Sequence, residues 1–143
     1  MAARLHGFVA AAALGIVVAS ATAPAVGVDE ASCPPGTEPF AEYRLFFGRS
    51  QGDREVVSEE AWRAFLAEVV TPRFPDGLTV LDAAGQWRED SGAIVRERTK
   101  LLLVLAPPGA DAIQRTDEIA DYYKRAFGQS SVLRVVTEAC ISF

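Results

Sequence analysis

The sequence predicts an α+β domain of the ferredoxin-like βαββαβ kind, a four-stranded antiparallel sheet with two helices on one face. Three observations carry this expectation. Strand-like apolar patterns occur four times along the chain. Two amphipathic helical stretches separate them in the order strand–helix–strand–strand–helix–strand. The third strand is apolar on both faces near its end, as a central strand covered on both sides would be.

The first strand, Glu42 to Gly48, sets Tyr43, Leu45 and Phe47 against Glu42, Arg44 and Phe46 at a period of two. A polar loop with two glycines runs to Val57. Ser58 then suits a helix N-cap, with Glu59 and Glu60 in the first turn where the helix dipole favours negative charge. Trp62, Phe65, Leu66, Val69 and Val70 make one apolar face, which places Trp62 in the core. Pro72 and Pro75 close this helix, and Asp76-Gly77 turns the chain.

The second strand starts at Leu78 and continues through a bend at Ala83-Ala84-Gly85 to Trp87 and Arg88, with Gly85 read as a bulge. Glu89 to Gly92 forms a hairpin turn, and Ile94 to Ala106 is the long third strand. After Pro107-Pro108-Gly109, Asp111 caps a second helix whose stripe is Ile113, Thr116, Ala120, Tyr123 and Phe127. Gly128 sits where a terminating glycine belongs. Val132 to Thr137 is the last strand. In a ferredoxin-like sheet the first and third strands are central. Leu102 and Val104 then point away from Leu101, Leu103 and Leu105, so both faces are apolar there. The uncovered face calls for a partner subunit in a homodimer, for a ligand, or for the N-terminal arm.

Residues 1–25 read as a signal peptide. Arg4 supplies the positive start, Phe8 to Val18 the apolar run, and Ala19-Ser20-Ala21 or Ala23-Pro24-Ala25 the cleavage site. The run is short against the ~20 apolar residues of a spanning helix. Residues 26–39 form a polar, proline-rich arm or linker, and residues 40–143 the domain. The expected location is secreted or periplasmic, with no membrane attachment once the signal is removed. Cys33 and Cys140 are the two cysteines, near the two ends of the mature chain, and in an exported protein they suggest a disulfide.

Composition then narrows the chemistry. The single histidine, His6, lies in the segment to be removed. A mature domain without imidazole has no His-based general base, no Ser-His-Asp or Cys-His nucleophile, and no histidine-ligated metal or haem. No cofactor and no metal are expected. The net charge of −5 comes with no basic block, which argues against a nucleic-acid partner.

Glu97 is the weak catalytic candidate. It shares parity with Val95, Leu101 and Leu103; if these face the helices, its carboxyl sits at a core edge with a raised pKa. The competing reading is a solvated or ion-paired Glu97, with the hairpin projecting beyond the helices or a bulge flipping the parity. Arg96, Arg98 and Lys100, joined by Arg44, could form a basic patch on the open face for a small acidic ligand or a protein partner. Trp87, near the hairpin, is a candidate interface or ligand anchor. Gly48-Arg49-Ser50-Gln51-Gly52 matches no phosphate-loop or dinucleotide fingerprint and reads as an ordinary loop.

Four segments carry a family resemblance: Leu45-Phe46-Phe47-Gly48-Arg49-Ser50, Thr71-Pro72-Arg73-Phe74-Pro75-Asp76-Gly77-Leu78-Thr79-Val80, Gly85-Gln86-Trp87-Arg88, and Arg96-Glu97-Arg98-Thr99-Lys100-Leu101-Leu102. Together they resemble the bacterial family Domain of Unknown Function 3574 over about Phe40 to Phe143. The resemblance implies an exported protein and carries over no catalytic residue. The expected fold also resembles the dimeric α+β barrel group, an analogy that does not fix function. Two functions follow as expectations. One is a non-enzymatic binding or interaction module that dimerises through its sheet. The other is a small-molecule-binding protein or cofactor-free enzyme with a pocket on the open sheet face, built from Glu97, Arg44, Arg96, Arg98 and Trp87. The sequence leaves open whether the domain is an enzyme.

Overall fold

The computed structural model describes residues 33–88 and 91–143. The expected signal peptide, half of the arm and half of the hairpin turn lie outside the described residues. Strand β1 spans Glu38–Gly48 and is followed by a small ribbon, β2 (Ser50–Gln51) and β3 (Arg54–Glu55). Helix α1 (Glu59–Phe65) continues as a π-helical turn over Leu66–Val70. Then come β4 (Thr79–Arg88), β5 (Ile94–Ala106), α2 (Ala110–Phe127) and β6 (Leu133–Ile141).

The four long strands form one antiparallel sheet in the order β4-β5-β1-β6. Local chemistry places the helices where the sequence asks for them. The Ser58 hydroxyl accepts the Ala61 amide at 3.1 Å, capping α1. Gly128 ends α2 at φ 61°, a conformation that residues with a Cβ rarely adopt. The expected Asp111 cap is not formed. Gly109 holds the N-cap position, and Asp111 lies inside the first turn, ion-paired with Arg115.

One face of the sheet is packed. Ala41, Tyr43, Leu45 and Phe47 of β1 and Leu102 and Val104 of β5 meet Trp62, Phe65, Val69 and Val70 of the first helix. Ile119 and Tyr123 close the layer from α2. Phe47, Phe65 and Tyr123 form an aromatic centre with ring centroids 4.7 to 5.6 Å apart. Each such fully buried side chain contributes ~1.5–3 kcal/mol. Ile113, expected on the α2 stripe, is 48% exposed instead. Ala112 takes the buried place beside it, because the stripe runs through Ala112, Thr116, Ile119 and Tyr123.

The expected bulge at Gly85 is absent. Pairing with β5 continues through Ala84–Arg98, Gly85–Glu97 and Gln86–Arg96 without a slip. Glycine is there for room: a Cβ at Gly85 would lie 2.6 Å from Thr99 Oγ1. Cys33 and Cys140 form a disulfide across 107 residues, fastening the start of the described chain to β6.

Closing a loop of this length is worth about 4.7 kcal/mol on the chain-entropy account. Reducing the bridge, or replacing both cysteines by serine, should lower the free energy of urea unfolding by about 4–5 kcal/mol. Unfolding curves of the oxidised and reduced protein test this.

Candidate functional site

The sheet face away from the helices carries one apolar row across all four strands. Leu81 of β4, Leu101 of β5, Phe46 of β1 and Leu133 of β6 are register partners in that order. Residues paired across antiparallel strands project to the same side, so the four form a continuous stripe. Leu81 is 47% and Leu133 62% exposed. The next row adds Leu103 and Val135 around Arg44, and Leu105 follows beyond them. No helix covers this face among the described residues.

Glu97 lies on this open face, not toward the helices. The helix-facing set of β5 is Lys100, Leu102, Val104 and Ala106, which fixes the opposite parity for Glu97. The carboxylate is tied down: the Ser50 amide donates to its Oε2 at 3.1 Å. It lies flat over Gly48, where a Cβ would come within 2.5 Å of both carboxylate oxygens. From the other side of the sheet the Tyr123 hydroxyl donates to the Gly48 carbonyl at 2.9 Å. Burial pushes the Tyr123 phenol well up, with Arg49 opposing and Glu97 adding to the rise. Gly48 is thereby held from both faces at the point where β1 gives way to the ribbon.

The basic patch expected on the open face does not assemble there. Arg44 is on that face and is ion-paired with Glu42 beside it. Arg96, Arg98 and Lys100 have the opposite parity. Lys100 is only 4% exposed and donates to Glu59 at 3.0 Å and to Asp82. Arg98 approaches Glu59 at 3.5 Å and Glu55 at 3.7 Å. Trp87 is 46% exposed and pairs with Val95 on the open face. Of the five sequence candidates, the open face therefore holds Glu97, Arg44 and Trp87.

Arg49 is the residue that sequence reasoning passed over. It is 1% exposed, and its guanidinium donates to the Val57 carbonyl at 2.8 Å, to Glu55 at 2.7 Å and to Glu59. A signal existed: Arg49 continues the parity of Tyr43, Leu45 and Phe47 and so projects toward the helices. With Arg98 and Lys100 it makes a cluster of three cations against Glu55, Glu59 and Asp82. Hydrogen bonding from Lys100 comes first in holding Glu59 and Asp82 below their ordinary values, with Arg49 adding to both. Burial works against the Lys100 charge, but Asp82 and Glu59 outweigh it and its pKa rises. Every charge in the cluster has a partner within the fold, so its chemistry is cohesive. Among the described residues no group of three His, Cys, Asp or Glu side chains is placed to hold a metal.

Residues 42–143 match the model of a family described as protein of unknown function (DUF3574). No curated protein matches the chain in sequence. A phage SAM lyase in complex with S-methyl-5'-thioadenosine is similar in structure, with TM-score 0.57 and 17% identity, covering 78% of this chain and 94% of the lyase. The apo state of a phage SAM lyase gives TM-score 0.54 and 16% identity over 76% and 91%. CutA from Synechococcus elongatus gives 0.48 and 10% over 73% and 80%. At these identities the likeness is one of fold.

Two outcomes follow from the geometry. Gly48→Ala displaces the Glu97 carboxylate and should cost about 1 kcal/mol, the worth of one hydrogen bond. Glu97→Ala should cost a similar amount, and the double variant clearly less than the sum, because both remove the same contact. A double-mutant cycle from urea melts measures this. The charge cluster also sets a pH dependence. Depressed carboxylates stabilise the fold above their unfolded values near ~4 and lose that contribution as pH falls through the folded ones. Raised Lys100 contributes below ~10.4 and loses its share only as pH rises through its higher folded value. Stability should therefore fall on going from neutral to acid pH, and fall less in Glu59→Gln. Urea midpoints of both proteins at neutral and acid pH decide the point; equal falls would contradict it.

Proposed function

The chain belongs to the DUF3574 family of proteins of unknown function, and from that premise we propose that it is an exported, non-enzymatic binding or interaction module that forms a homodimer through its open sheet face. The observation that carries the reading is the Leu81–Leu101–Phe46–Leu133 stripe. It crosses all four strands in register and is left uncovered by both helices. Contiguous apolar surface of this kind is characteristic of interaction sites. A two-fold pairing of sheets would bury the stripe against its own copy, with the Arg44–Glu42 ion pair in the adjoining rows of β1 neutralised within the same chain.

The strand order β4-β5-β1-β6 supports reading the domain as ferredoxin-like, with β1 and β5 central. The boundaries we propose are a signal peptide over 1–25, an arm over 26–39 and the domain over 40–143. The Cys33–Cys140 disulfide is compatible with a secreted or periplasmic location.

A second reading, a small-molecule-binding protein or cofactor-free enzyme, draws on the fold likeness to a phage SAM lyase solved with S-methyl-5'-thioadenosine. Its pocket would lie on the same open face beside Glu97, Arg44 and Trp87. The ion pair of Arg44 and the Ser50 tether of Glu97 weigh against it, because both groups are already engaged.

Sedimentation velocity of the oxidised protein tests the dimer. The expected result is a dimer in the micromolar range, with Leu133→Glu raising the dissociation constant at least tenfold, about 1.4 kcal/mol, at unchanged circular dichroism. Leu133 is mostly exposed in the single chain, so the variant leaves the monomer fold alone. A wild-type monomer at all concentrations would refute the homodimer.

A further inference from the structure

The strands of the sheet are staggered at one end. β4 begins at Thr79, opposite Leu103, so the stretch of β5 from Val104 to Ala106 has no partner on its β4 side. A groove of about 520 Å³ opens in this gap, walled on the other side by the approach to β4 from Phe74 to Leu78. That volume lies within the ~300–1,000 Å³ of small-molecule sites. Phe40, Phe74, Leu103 and Leu105 make the lining apolar. Arg115 and Asp76 are the two charged residues of the wall.

Arg115 is held in place but not used up. Its Nη1 donates to the Arg73 carbonyl at 2.8 Å, and its guanidinium lies 5.0 Å from the centre of the Phe74 ring. These two contacts fix the plane of the fork. Nη2 is paired with Asp111, whose side chain is 81% exposed. Nε is buried and has no hydrogen-bond partner. The Nε–Nη2 edge, the one that takes a carboxylate with two parallel bonds, is therefore half engaged by a solvent-exposed group. Asp111 is not part of the groove lining and Nε is buried beside the pair, so a carboxylate in the groove reaches this edge by displacing Asp111, and exposed pairs of this kind are worth little. Asp76 on the same wall disfavours a second negative charge in the ligand.

We propose that this groove is a binding site for a small apolar monocarboxylate, aromatic or branched aliphatic, whose acid group is held by Arg115 and whose body lies against Phe74 and Leu105. The groove takes Leu103 and Leu105 from the end of the open face but none of the four residues of the Leu81–Leu101–Phe46–Leu133 stripe and none of the charge cluster, and the proposal does not rest on the homodimer.

Amide NMR titration of the full chain with its disulfide intact tests the proposal, using phenylacetate and its neutral isostere phenylacetamide as probes. Saturable shifts should be confined to Phe74, Asp76–Thr79, Leu103–Ala106 and the turn of α2 around Arg115. Phenylacetate should bind at least about tenfold more tightly than the amide. Asp111→Asn, which removes the competing carboxylate, should strengthen phenylacetate binding severalfold. Arg115→Met should abolish the preference for the acid, and Leu105→Trp should block both probes while leaving Arg115 in place. Equal affinities for acid and amide, no saturable shift, or shifts centred on Glu97 and Trp87 would each overturn it. Weakened phenylacetate binding in Asp111→Asn would do the same.

Discussion

Two helices can cover only one face of a four-stranded sheet, and the central strands of this sheet are apolar on both. That mismatch organises the molecule. Tyr43, Leu45, Phe47, Leu102 and Val104 satisfy the covered side with a full aromatic and aliphatic core. Phe46, Leu101 and Leu103 alternate with them and are driven to the other side by the period of the strand. Phe46 on β1 and Leu101, Leu103 and Leu105 on β5 are apolar as well, so much of the open face is an unmet demand for burial.

The polar part of the fold is concentrated at one place, the junction of β1 with the first helix. Arg49 follows the core side of β1 and would carry an uncompensated charge inward. The fold answers by turning the ribbon back, so that Glu55, the Val57 carbonyl and Glu59 reach the same guanidinium. Glu59 meanwhile stands in the first turn of α1, where the helix dipole already favours it. Lys100 of β5 shares Glu59 and brings Asp82 of β4 into the network. Glu59 thus ties the turn after β1 and strand β5 to the helix start, and Lys100 carries the network on to β4.

Much of this was legible in the chain. The element order, the Ser58 cap, the Gly128 stop and the core roles of Trp62 and Tyr123 follow from period and capping chemistry, and the disulfide from two cysteines near the ends of a chain that reads as exported. What was not legible turns on side-chain facing. Glu97 and Leu101 share a parity, but whether that parity meets the helices depends on which set of β5 pairs with Tyr43 and Leu45, a tertiary fact. Arg96, Arg98 and Lys100 have the other parity and fall on the opposite side from Arg44 and Glu97. The purpose of Gly85 was equally hidden. A glycine inside a strand pattern reads as a bulge until the side chain lying over it, Thr99, is known. The groove at Arg115 needs the strand stagger and could not be seen in any linear pattern.

The central claim is that a second copy covers the open face. Hydroxyl-radical footprinting read by mass spectrometry tests it with a control inside one strand. Leu133 and Val136 of β6 are 62% and 54% exposed in the single chain, and they lie on opposite faces of the sheet. In a dimer joined through the open face, Leu133 is protected together with Leu81 at working concentration, while Val136 is labelled freely. Comparable labelling of Leu133 and Val136 would contradict it.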